Sequence, residues 1–500
     1  MADFDLAVIG GGINGTGIAR DAAGRGLRVV LCEQNDLASG TSSASSKLIH
    51  GGLRYLEHGE LALVRAALGE REVLLRAAPH LIRPLRFVLP LNAARRSPLL
   101  LRLGLLLYDW LGRRKVLPAT RELDLLTDEA GHPLRSVFHH AYEYSDCFAD
   151  DARLVVLNAV DAAERGAVIR TRTRCVRAER SDVWRLILNA RGQRDFVTAR
   201  VLVNAAGAWV ESVAEIVQRQ QPQPRLRLDK GSHIVVRRLF DHDRAYILQA
   251  ADRRVVFAIP FERDFTLIGT TDRSFSGDPA AVAPAADEIE YLCGVVNEYF
   301  RASIGAADVV WAFAGVRSLY DDGAHKPQDI GREYELILDE HVGEAPLLTV
   351  YGGKITTYRR LAEDVLDRLA HFFPHSRRWT AQSPLPGGDF AYDGLEALIE
   401  RTLQRWPFLT DAHARRLTRA YGTRVENVLA QATRADDLGQ RLGADLTAAE
   451  VRYLMAKEWA LTADDVLWRR SKLGLRISPE QRGMLERFMA HDPEKARPRT

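Results

Sequence analysis

Short apolar runs and one helix-compatible stretch open the chain in the order strand, helix, strand. The apolar run Leu6–Ile9 is followed by glycines, then by the small residues of Ile13–Ala23, then by a second apolar run, Val29–Cys32. Continuous apolar runs of this length are typical of strands buried on both faces. The pattern therefore predicts a β-α-β unit with a parallel sheet.

The same kind of pattern returns in two later blocks of the chain. Asp151–Arg165 has the apolar period of a helix, and a helix is expected again from about Thr356. Buried or half-buried strands are predicted at Ala167–Ile169, Arg174–Arg177, Trp184–Leu188, Ala199–Asn204 and Leu347–Val350. We interpret the three blocks as one nucleotide-binding domain assembled from discontinuous pieces.

The segments between these blocks have a different character. Arg225–Val236, Ala245–Ile259 and Phe265–Thr270 are rich in β-branched and aromatic residues, which predicts an antiparallel sheet in an inserted domain. Ser383–Gly388 is rich in proline and glycine, and the chain beyond it has helical patterning. Within it, Leu461–Arg470 is predicted to be a capped amphipathic helix with a structural or oligomer-contact role. The predicted domains are 1–75, 145–215 and 335–382 (nucleotide-binding), 76–144 and 216–334 (substrate and membrane contact) and 389–500 (helical).

Composition narrows the class of protein. The 500 residues are 46% hydrophobic with a net charge of +3, which fits several packed domains and gives no reason to expect a nucleic-acid partner. The four cysteines lie far apart and indicate a reducing compartment. The 14 histidines show no metal-ligand spacing, so no metal is expected. No apolar stretch reaches the ~20 residues of a membrane-spanning helix.

Residues 10–15 match the dinucleotide-binding pattern G-x-G-x-x-G. Gly10 permits the turn, Gly12 the approach of a pyrophosphate, and Gly15 close packing of helix and strand. Glu33 ends the next strand, where a carboxylate holds a ribose and disfavours NADP. The glycines do not separate FAD from NAD. The discontinuous domain, the small residues Ala206 and Gly207, and a helix start after Gly353 favour FAD.

A longer run, Thr41–Leu56, resembles the signature of FAD-dependent glycerol-3-phosphate dehydrogenases. Four further motifs resemble that family in the same order: Lys230–His233, Gly269–Asp272, Gly315–Arg317 and Gly352–Arg359. The layout is similar to the bacterial aerobic, membrane-associated type. One position departs, since Ser318 stands where the family usually has proline.

The resemblance implies an α/β fold: a glutathione-reductase-like FAD-binding domain, an antiparallel substrate domain and a C-terminal helical domain. Together with the glycine motif it implies that FAD is the cofactor, and whether FAD is bound covalently stays open. The expected cofactor-binding residues are Gly10, Gly12, Ile13, Asn14, Gly15, Glu33, Thr41, Ser42, Ser46, Lys47, Leu48, His50, Cys175, Ala206, Gly207, Gly353, Lys354 and Thr356.

A phosphorylated polyol needs a dianion site and a proton acceptor. Arginine binds phosphate through two parallel charge-assisted bonds, and the motifs offer it at Arg54, Arg317 and Arg332. Tyr55 is a neutral donor, and Thr270 with Asp272 is suited to orient hydroxyls. His50 and His233 are both candidate bases. Alternatively, Arg317 and Lys354 stabilise a developing alkoxide, and the base stays open.

Ser97–Gly112 has a helix-start signal followed by leucines. Arg102, Asp109 and Arg113 fall on one narrow stripe, and basic residues flank the segment. Such a helix is suited to lie in a lipid leaflet next to anionic headgroups and to give a quinone a docking place. The alternative is a helix buried in the substrate domain.

The main hypothesis is oxidation of sn-glycerol 3-phosphate to dihydroxyacetone phosphate, with FAD passing electrons to a quinone. The enzyme is expected at the cytoplasmic face of the inner membrane, as a homodimer. Alternatives are a soluble oxidase of the same family that uses oxygen, and a catalytically silent flavin-binding membrane protein. An amine oxidase of the wider superfamily fits the phosphate-suited arginines less well.

Overall fold

The protein is described from a computed structural model, which covers residues 2–57, 59–91, 97–112, 116–217, 226–321, 334–373 and 377–492, with the backbone alone at positions 54 and 57. Its strands are β1 (Phe4–Ile9), β2 (Val29–Cys32), β3 (Leu48–Ile49), β4 (Ile82–Pro90), β5 (Arg121–Asp124), β6 (His140–Ala149), β7 (Val168–Arg170), β8 (Thr173–Arg180), β9 (Trp184–Ala190), β10 (Gln193–Asn204), β11 (Leu226–Arg237), β12 (Ala245–Gln249), β13 (Val255–Phe261), β14 (Phe265–Gly269), β15 (Arg273–Phe275), β16 (Val309–Tyr320), β17 (Glu335–Asp339), β18 (Leu347–Tyr351), β19 (Arg441–Gly443) and β20 (Leu446–Thr447).

Helices cover both sheets and build the C-terminal region. They are α1 (Ile13–Gly24), α2 (Arg54–Glu57), α3 (Leu61–Ala77), α4 (Pro98–Leu111), α5 (Asp151–Glu164), α6 (Val210–Ile216), α7 (Ala286–Tyr299), α8 (Tyr358–Arg368), α9 (Leu395–Arg405), α10 (Asp411–Tyr421), α11 (Val425–Leu429), α12 (Ala448–Lys457) and α13 (Pro479–His491).

The first sheet has the order β17-β18-β10-β1-β2-β7, with β8 and β9 added through β10. Its centre is parallel: Leu6 lies between Val201 of β10 and Val29 of β2. Strand β18 extends the parallel part, with Leu202 beside Leu347. The α/β fold class and the β-α-β start are confirmed. The strands do come from separated blocks of the chain, although the exact domain ranges stay a prediction.

The second sheet is mostly antiparallel and has the order β15-β11-β14-β13-β12-β4-β6-β3, with β16 on β11 and β5 on β6. Two details differ from the expected pattern. The stretch Ala245–Ile259 is not one strand but two, β12 and β13, which pair with each other. The sequence reading also did not single out β4 and β6, which pair along nine residues each.

The C-terminal region packs α9–α13 around its own apolar cluster, which includes Trp406, Leu417, Val451 and Leu485. The helical prediction is confirmed, with the small hairpin β19–β20 as an addition. The expected helix over residues 461–470 is a short α-turn followed by a wider π-helical turn, Asp465–Arg470. Asp465 caps this segment by accepting from the amides of Leu461 and Thr462 at 2.8 and 3.0 Å.

Candidate active site

A cavity of about 910 Å³ extends from the glycine turn after β1, past the end of β2, to the inner face of the second sheet. Ile9 and Glu33 line one end, and Thr270 with Arg317 lines the other. A site at the carboxyl ends of parallel strands is where α/β sheets bind nucleotides. The cavity is therefore lined by residues of both sheets.

The glycine turn has geometry that only glycine meets. Gly10 has φ +118°, and a Cβ there would lie 2.5 Å from the carbonyl oxygen of Ala205. A Cβ at Gly15 would lie 1.9 Å from the carbonyl oxygen of Gly10, so α1 rests directly on the turn. Gly15 thus serves helix packing and does not line the cavity, whereas Gly10 and Gly12 do. The start of α1 faces the cavity, which suits a pyrophosphate.

Glu33 is fixed at the end of β2 by two backbone donors. Its carboxylate accepts from the amide of Gly11 at 2.6 Å and from the amide of Asn35 at 2.7 Å. Burial raises the pKa of the Glu33 carboxyl. The side chain lines the cavity at the position where the sequence predicts a ribose contact.

The 41–50 segment crosses from the first sheet to the second. The hydroxyl of Thr41 donates to the carbonyl oxygen of Val316 at 2.6 Å, and Ser42 accepts from the amide of Ile13 at 3.0 Å. These contacts hold the segment over the start of α1. Ser42, Ser46 and Leu48 line the cavity as expected of cofactor contacts.

Lys47 lies apart from that lining. Its ammonium donates to both carboxylate oxygens of Asp151, at 2.7 and 2.8 Å, and neither side chain has measurable exposure. A buried ammonium requires such a partner because desolvation is costly. The structure therefore gives Lys47 an internal partner where the sequence suggested a cofactor contact, and its expected role is to hold the segment in place.

Small residues after the ends of β10 and β18 line the part of the cavity next to the glycine turn. Gly353 has φ +94°, and a Cβ there would lie 2.6 Å from the amide nitrogen of the Asn14 side chain. Asn14 itself donates to the carbonyl oxygen of Gly352 at 3.1 Å. Ala206, Gly207 and Thr356 also line the cavity. Cys175 lines it too, with burial raising the pKa of its thiol to about 12, so it is not a thiolate.

Lys354 and Arg317 both bring positive charge to the cavity lining. The ammonium of Lys354 lies 4.0 Å from the ring centre of Tyr55, and it is buried without a hydrogen-bond partner among the described residues. Arg317 donates to Asp272 at 3.0 Å. Thr270 lines the same end as Arg317. Arg332 and the side chain of Arg54 lie outside the described residues.

Both candidate bases line the cavity as neutral imidazoles. Burial, with the charges of Lys47 and Arg317, lowers the pKa of His233 to about 3. Burial also lowers the pKa of His50, although the carboxylate of Asp146 opposes the shift. His233 Nε2 lies 2.8 Å from the Ser46 hydroxyl, and its ring stacks on Phe313 with centroids 5.0 Å apart. A neutral imidazole can accept a proton.

Sequence reasoning missed a buried network behind His50. Arg71 donates to Asp146 at 2.6 Å, and the Tyr108 hydroxyl donates to the same carboxylate at 2.8 Å. Tyr108 comes from α4, and its hydroxyl also accepts from the amide of Gly51 at 2.8 Å. A polar hydroxyl among the leucines of α4 was the one available signal.

Helix α4 is buried on one side only. Leu105, Tyr108 and Leu111 face the protein. The opposite side exposes five large apolar side chains, from 54% to 74%: Leu99, Leu100, Leu103, Leu106 and Trp110. The flanking basic residues 95, 96 and 113–115 lie outside the described residues. In the described part of the chain, no helix has the length and apolar character needed to cross a bilayer.

The lining fits FAD. A dinucleotide needs a glycine turn and a ribose acceptor, and the cavity contains both, at Gly10–Gly12 and Glu33. The Oδ1 atom of Asn14 and the ammonium of Lys354 are buried without hydrogen-bond partners in the described residues. Because such atoms are normally paired, they indicate a polar, partly anionic occupant.

Comparison with known proteins gives the same picture. The family model described as FAD dependent oxidoreductase matches residues 5–359, and the model described as C-terminal domain of alpha-glycerophosphate oxidase matches residues 378–491. The chain is 53% identical to a Glycerol-3-phosphate dehydrogenase of Pseudomonas aeruginosa, over 97% of this chain and 95% of that protein. It is 49% identical to a D-erythritol 1-phosphate dehydrogenase of Brucella abortus, over 96% of each.

Among solved structures, the glycerol-3-phosphate dehydrogenase of Bacillus halodurans complexed with FAD superposes with a TM-score of 0.78. It is 27% identical, and the match covers 99% of this chain and 92% of that one. The match includes both sheets and the helical C-terminal region. The chain therefore belongs to the FAD-dependent oxidoreductases, within the glycerol-3-phosphate dehydrogenase family.

Proposed function

We propose that the protein oxidises sn-glycerol 3-phosphate to dihydroxyacetone phosphate and passes the electrons to a quinone. The observation that carries this proposal is the ammonium of Lys354, which is buried without a hydrogen-bond partner among the described residues. Lys354 lines the cavity, and Arg317 lines it as well. A buried cation of this kind is stabilised by an anionic ligand. The names of the relatives supply polyol phosphates as the class of ligand.

In the proposed reaction, the residues at the far end of the cavity bind and orient the substrate. Arg317 binds the phosphate or the developing alkoxide, and the Thr270 hydroxyl and Asp272 orient the substrate hydroxyls. The C2 hydroxyl proton moves to a neutral imidazole, that of His50 or His233. FAD, which the glycine turn, Glu33 and Ser42 would hold, would supply the two-electron acceptor for this oxidation.

The proposed acceptor side rests on α4. Its exposed leucines and Trp110 form an apolar face suited to the interfacial zone of a lipid bilayer. Leu101 of the same helix lines the cavity, together with Leu89, Ile247 and Phe257. This apolar end of the cavity lies on the α4 side and is suited to a quinone. We propose peripheral attachment to the cytoplasmic face of the membrane; a homodimer remains a prediction.

The test uses detergent-purified protein under argon. Addition of sn-glycerol 3-phosphate should bleach the yellow absorption of the flavin, and a soluble quinone should restore it. D-erythritol 1-phosphate is the comparison substrate, and faster bleaching by it would assign the longer polyol. A flavin that stays yellow with both would reject the proposed substrate class.

The reoxidation step of the same experiment distinguishes the dehydrogenase from the oxidase alternative. Air should restore the yellow colour much more slowly than a quinone, because a dehydrogenase reacts poorly with oxygen. Fast reoxidation by air with production of peroxide would favour the oxidase. A protein that binds FAD and reacts with neither substrate would favour the silent flavoprotein.

A further inference from the structure

One short segment of the C-terminal region contacts both ends of the flavin cavity from outside. It is the π-helical turn Asp465–Arg470, and its neighbouring residues Trp468, Arg469 and Arg470 point to two different structures. Arg469 and Arg470 contact the loop after β2, whereas Trp468 contacts β16 of the second sheet. The segment thus contacts the nucleotide-binding sheet and the substrate sheet together.

The first contact is a buried carboxylate held by two guanidinium groups. Arg470 binds Asp36 through two bonds, of 2.6 and 2.8 Å, and Arg469 adds a third of 2.6 Å. Asp36 and Arg470 are each 1% exposed. Bidentate bonds between buried ions fix the geometry of both partners, and removal of one partner leaves an uncompensated charge.

Asp36 belongs to the loop that carries the ribose-side acceptor. Glu33 and Asn35 of this loop line the cavity, and the amide of Ala38 donates back to Gly11 at 3.1 Å. A second connection comes from Arg172, whose amide donates to the carbonyl oxygen of Asn35 and whose guanidinium binds Asp465 at 2.7 Å. The segment therefore holds the loop from two sides.

The second contact is a stack of aromatic rings that ends at a candidate base. The ring of Trp468 stacks on Trp311, with centroids 4.5 Å apart. Trp311 lies 4.5 Å from Phe313, and Phe313 stacks on His233 at 5.0 Å with an interplanar angle of 9°. Stacked rings restrict each other's tilt. The orientation of His233 is thus defined by this stack and by Ser46.

We propose that the Asp465–Arg470 segment is a positioning element of the flavin site. Through Asp36, Arg469 and Arg470 hold the loop that presents Glu33 to the cofactor. Through Trp311 and Phe313, Trp468 holds the ring of His233. The cofactor contact depends on FAD, the cofactor of the family, and the histidine contact rests on the function proposed above.

The two contacts predict two separable defects. Arg470→Met and Asp36→Asn should raise the dissociation constant for FAD about 10- to 100-fold, because a charge-assisted bidentate contact is lost. Trp468→Leu should leave FAD affinity within about twofold and slow flavin reduction by sn-glycerol 3-phosphate roughly tenfold. Trp468→Phe keeps a ring and should restore most of the rate.

The measurements are titration of apoprotein with FAD, followed by flavin fluorescence, visible circular dichroism of the bound flavin, and anaerobic reduction. Arg452→Met is the charge control, since Arg452 pairs with Asp492 at 2.8 Å in the same region. Trp406→Leu removes a buried tryptophan of that region that is outside the stack. If Arg470→Met does not fold, Arg469→Gln tests the same contact at a side chain 17% exposed.

Wild-type FAD affinity in Arg470→Met and Asp36→Asn, or in Arg469→Gln where it replaces Arg470→Met, would overturn the cofactor contact. Equal slowing in Trp468→Leu and Trp406→Leu would overturn the histidine contact, because it would indicate general destabilisation. If sn-glycerol 3-phosphate does not reduce the wild-type flavin, the proposed function fails. The cofactor contact is then still decided by FAD titration, and the histidine contact by whether Trp468→Leu alone changes the visible dichroism.

Discussion

The amide of Gly51 donates to the hydroxyl of Tyr108 at 2.8 Å, which links the segment beside His50 to the inner side of α4. The outer side of the same helix exposes its leucines. A Cβ at Gly51 would lie 2.8 Å from the Tyr108 ring, so the two are in close contact. The face proposed to meet lipid is therefore one helix diameter from the segment that lines the flavin cavity.

Tyr108→Phe should destabilise the protein by about 1–3 kcal/mol, because the Gly51 amide and the Asp146 carboxylate lose a buried partner. Urea unfolding, with release of the flavin as the signal, measures the change in the free energy of unfolding. Tyr142→Phe is the matched control, since its hydroxyl makes a longer bond of 3.3 Å to Pro98 at the other end of α4. Equal stability of Tyr108→Phe and wild type would contradict the inferred role of the bond.

Lys354→Met should lower kcat/KM for sn-glycerol 3-phosphate about 10²- to 10³-fold, the size expected for loss of one preorganised charge. The reason is that the buried ammonium has no hydrogen-bond partner among the described residues and is available to the anionic substrate. Steady-state kinetics with an artificial electron acceptor gives the value. Lys457→Met removes an exposed lysine of the C-terminal region as control. Near-normal kinetics would reject the assignment of Lys354.

Leu103→Gln combined with Leu106→Gln should release the protein from anionic lipid vesicles while dye-linked activity stays within about twofold. Each leucine is more than half exposed and contributes about 1.5–3 kcal/mol if fully buried in lipid. Vesicle sedimentation measures the bound fraction. Phe196→Gln with Val342→Gln changes two exposed apolar residues of the first sheet and its turns, and should not alter binding. Unchanged sedimentation of the leucine variant would favour the internal role of α4.

His80→Gln should flatten the pH dependence of stability between pH 7 and pH 5. Burial, with the charges of Arg153 and Arg424, lowers the pKa of His80 from its ordinary 6.5 to about 3. In that window the unfolded chain binds a proton that the folded protein does not, so stability falls as pH falls, by up to about 1.4 kcal/mol per unit.

Urea unfolding of the His80 variant at several pH values gives the free energy of unfolding as a function of pH. The slope of that dependence, and not the absolute stability, tests the prediction. His139→Gln, at an exposed histidine, is the control. A slope identical to wild type in the His80 variant would show that its imidazole is not the group responsible.

The local elements were predictable where one physical signal dominates. Val29–Cys32 is an uninterrupted apolar run and forms β2 with those bounds. Asp151–Arg165 has a clear period and forms α5, ending one residue earlier. The split of Ala245–Ile259 did have a signal in the sequence, because the charged residues Asp252, Arg253 and Arg254 interrupt the apolar run at the turn between β12 and β13.

The residues of the candidate site likewise fall into those that a local pattern predicts and those that only packing brings together. The position of Gly10, Gly12 and Glu33 at the cavity was predictable because it depends on a fixed spacing within one β-α-β unit. The bond from Tyr108 to Asp146 joins positions 38 residues apart, and the contact of Arg470 with Asp36 joins positions 434 apart. No local pattern encodes such pairs, since they arise only from the packing of separate domains. The sequence accordingly suggested an oligomer or structural role for residues 461–470 and no cofactor role.

The strand order of the first sheet also constrains when the protein can acquire its cofactor during translation. The glycine turn is synthesised among the first residues, but β18 must pair beside β10 before Gly353 and Lys354 reach the cavity. Contacts between such distant parts of a chain form late. A nascent chain therefore emerges with a pyrophosphate turn and no closed pocket. We expect FAD to be captured only after β18 has been synthesised and has paired with β10.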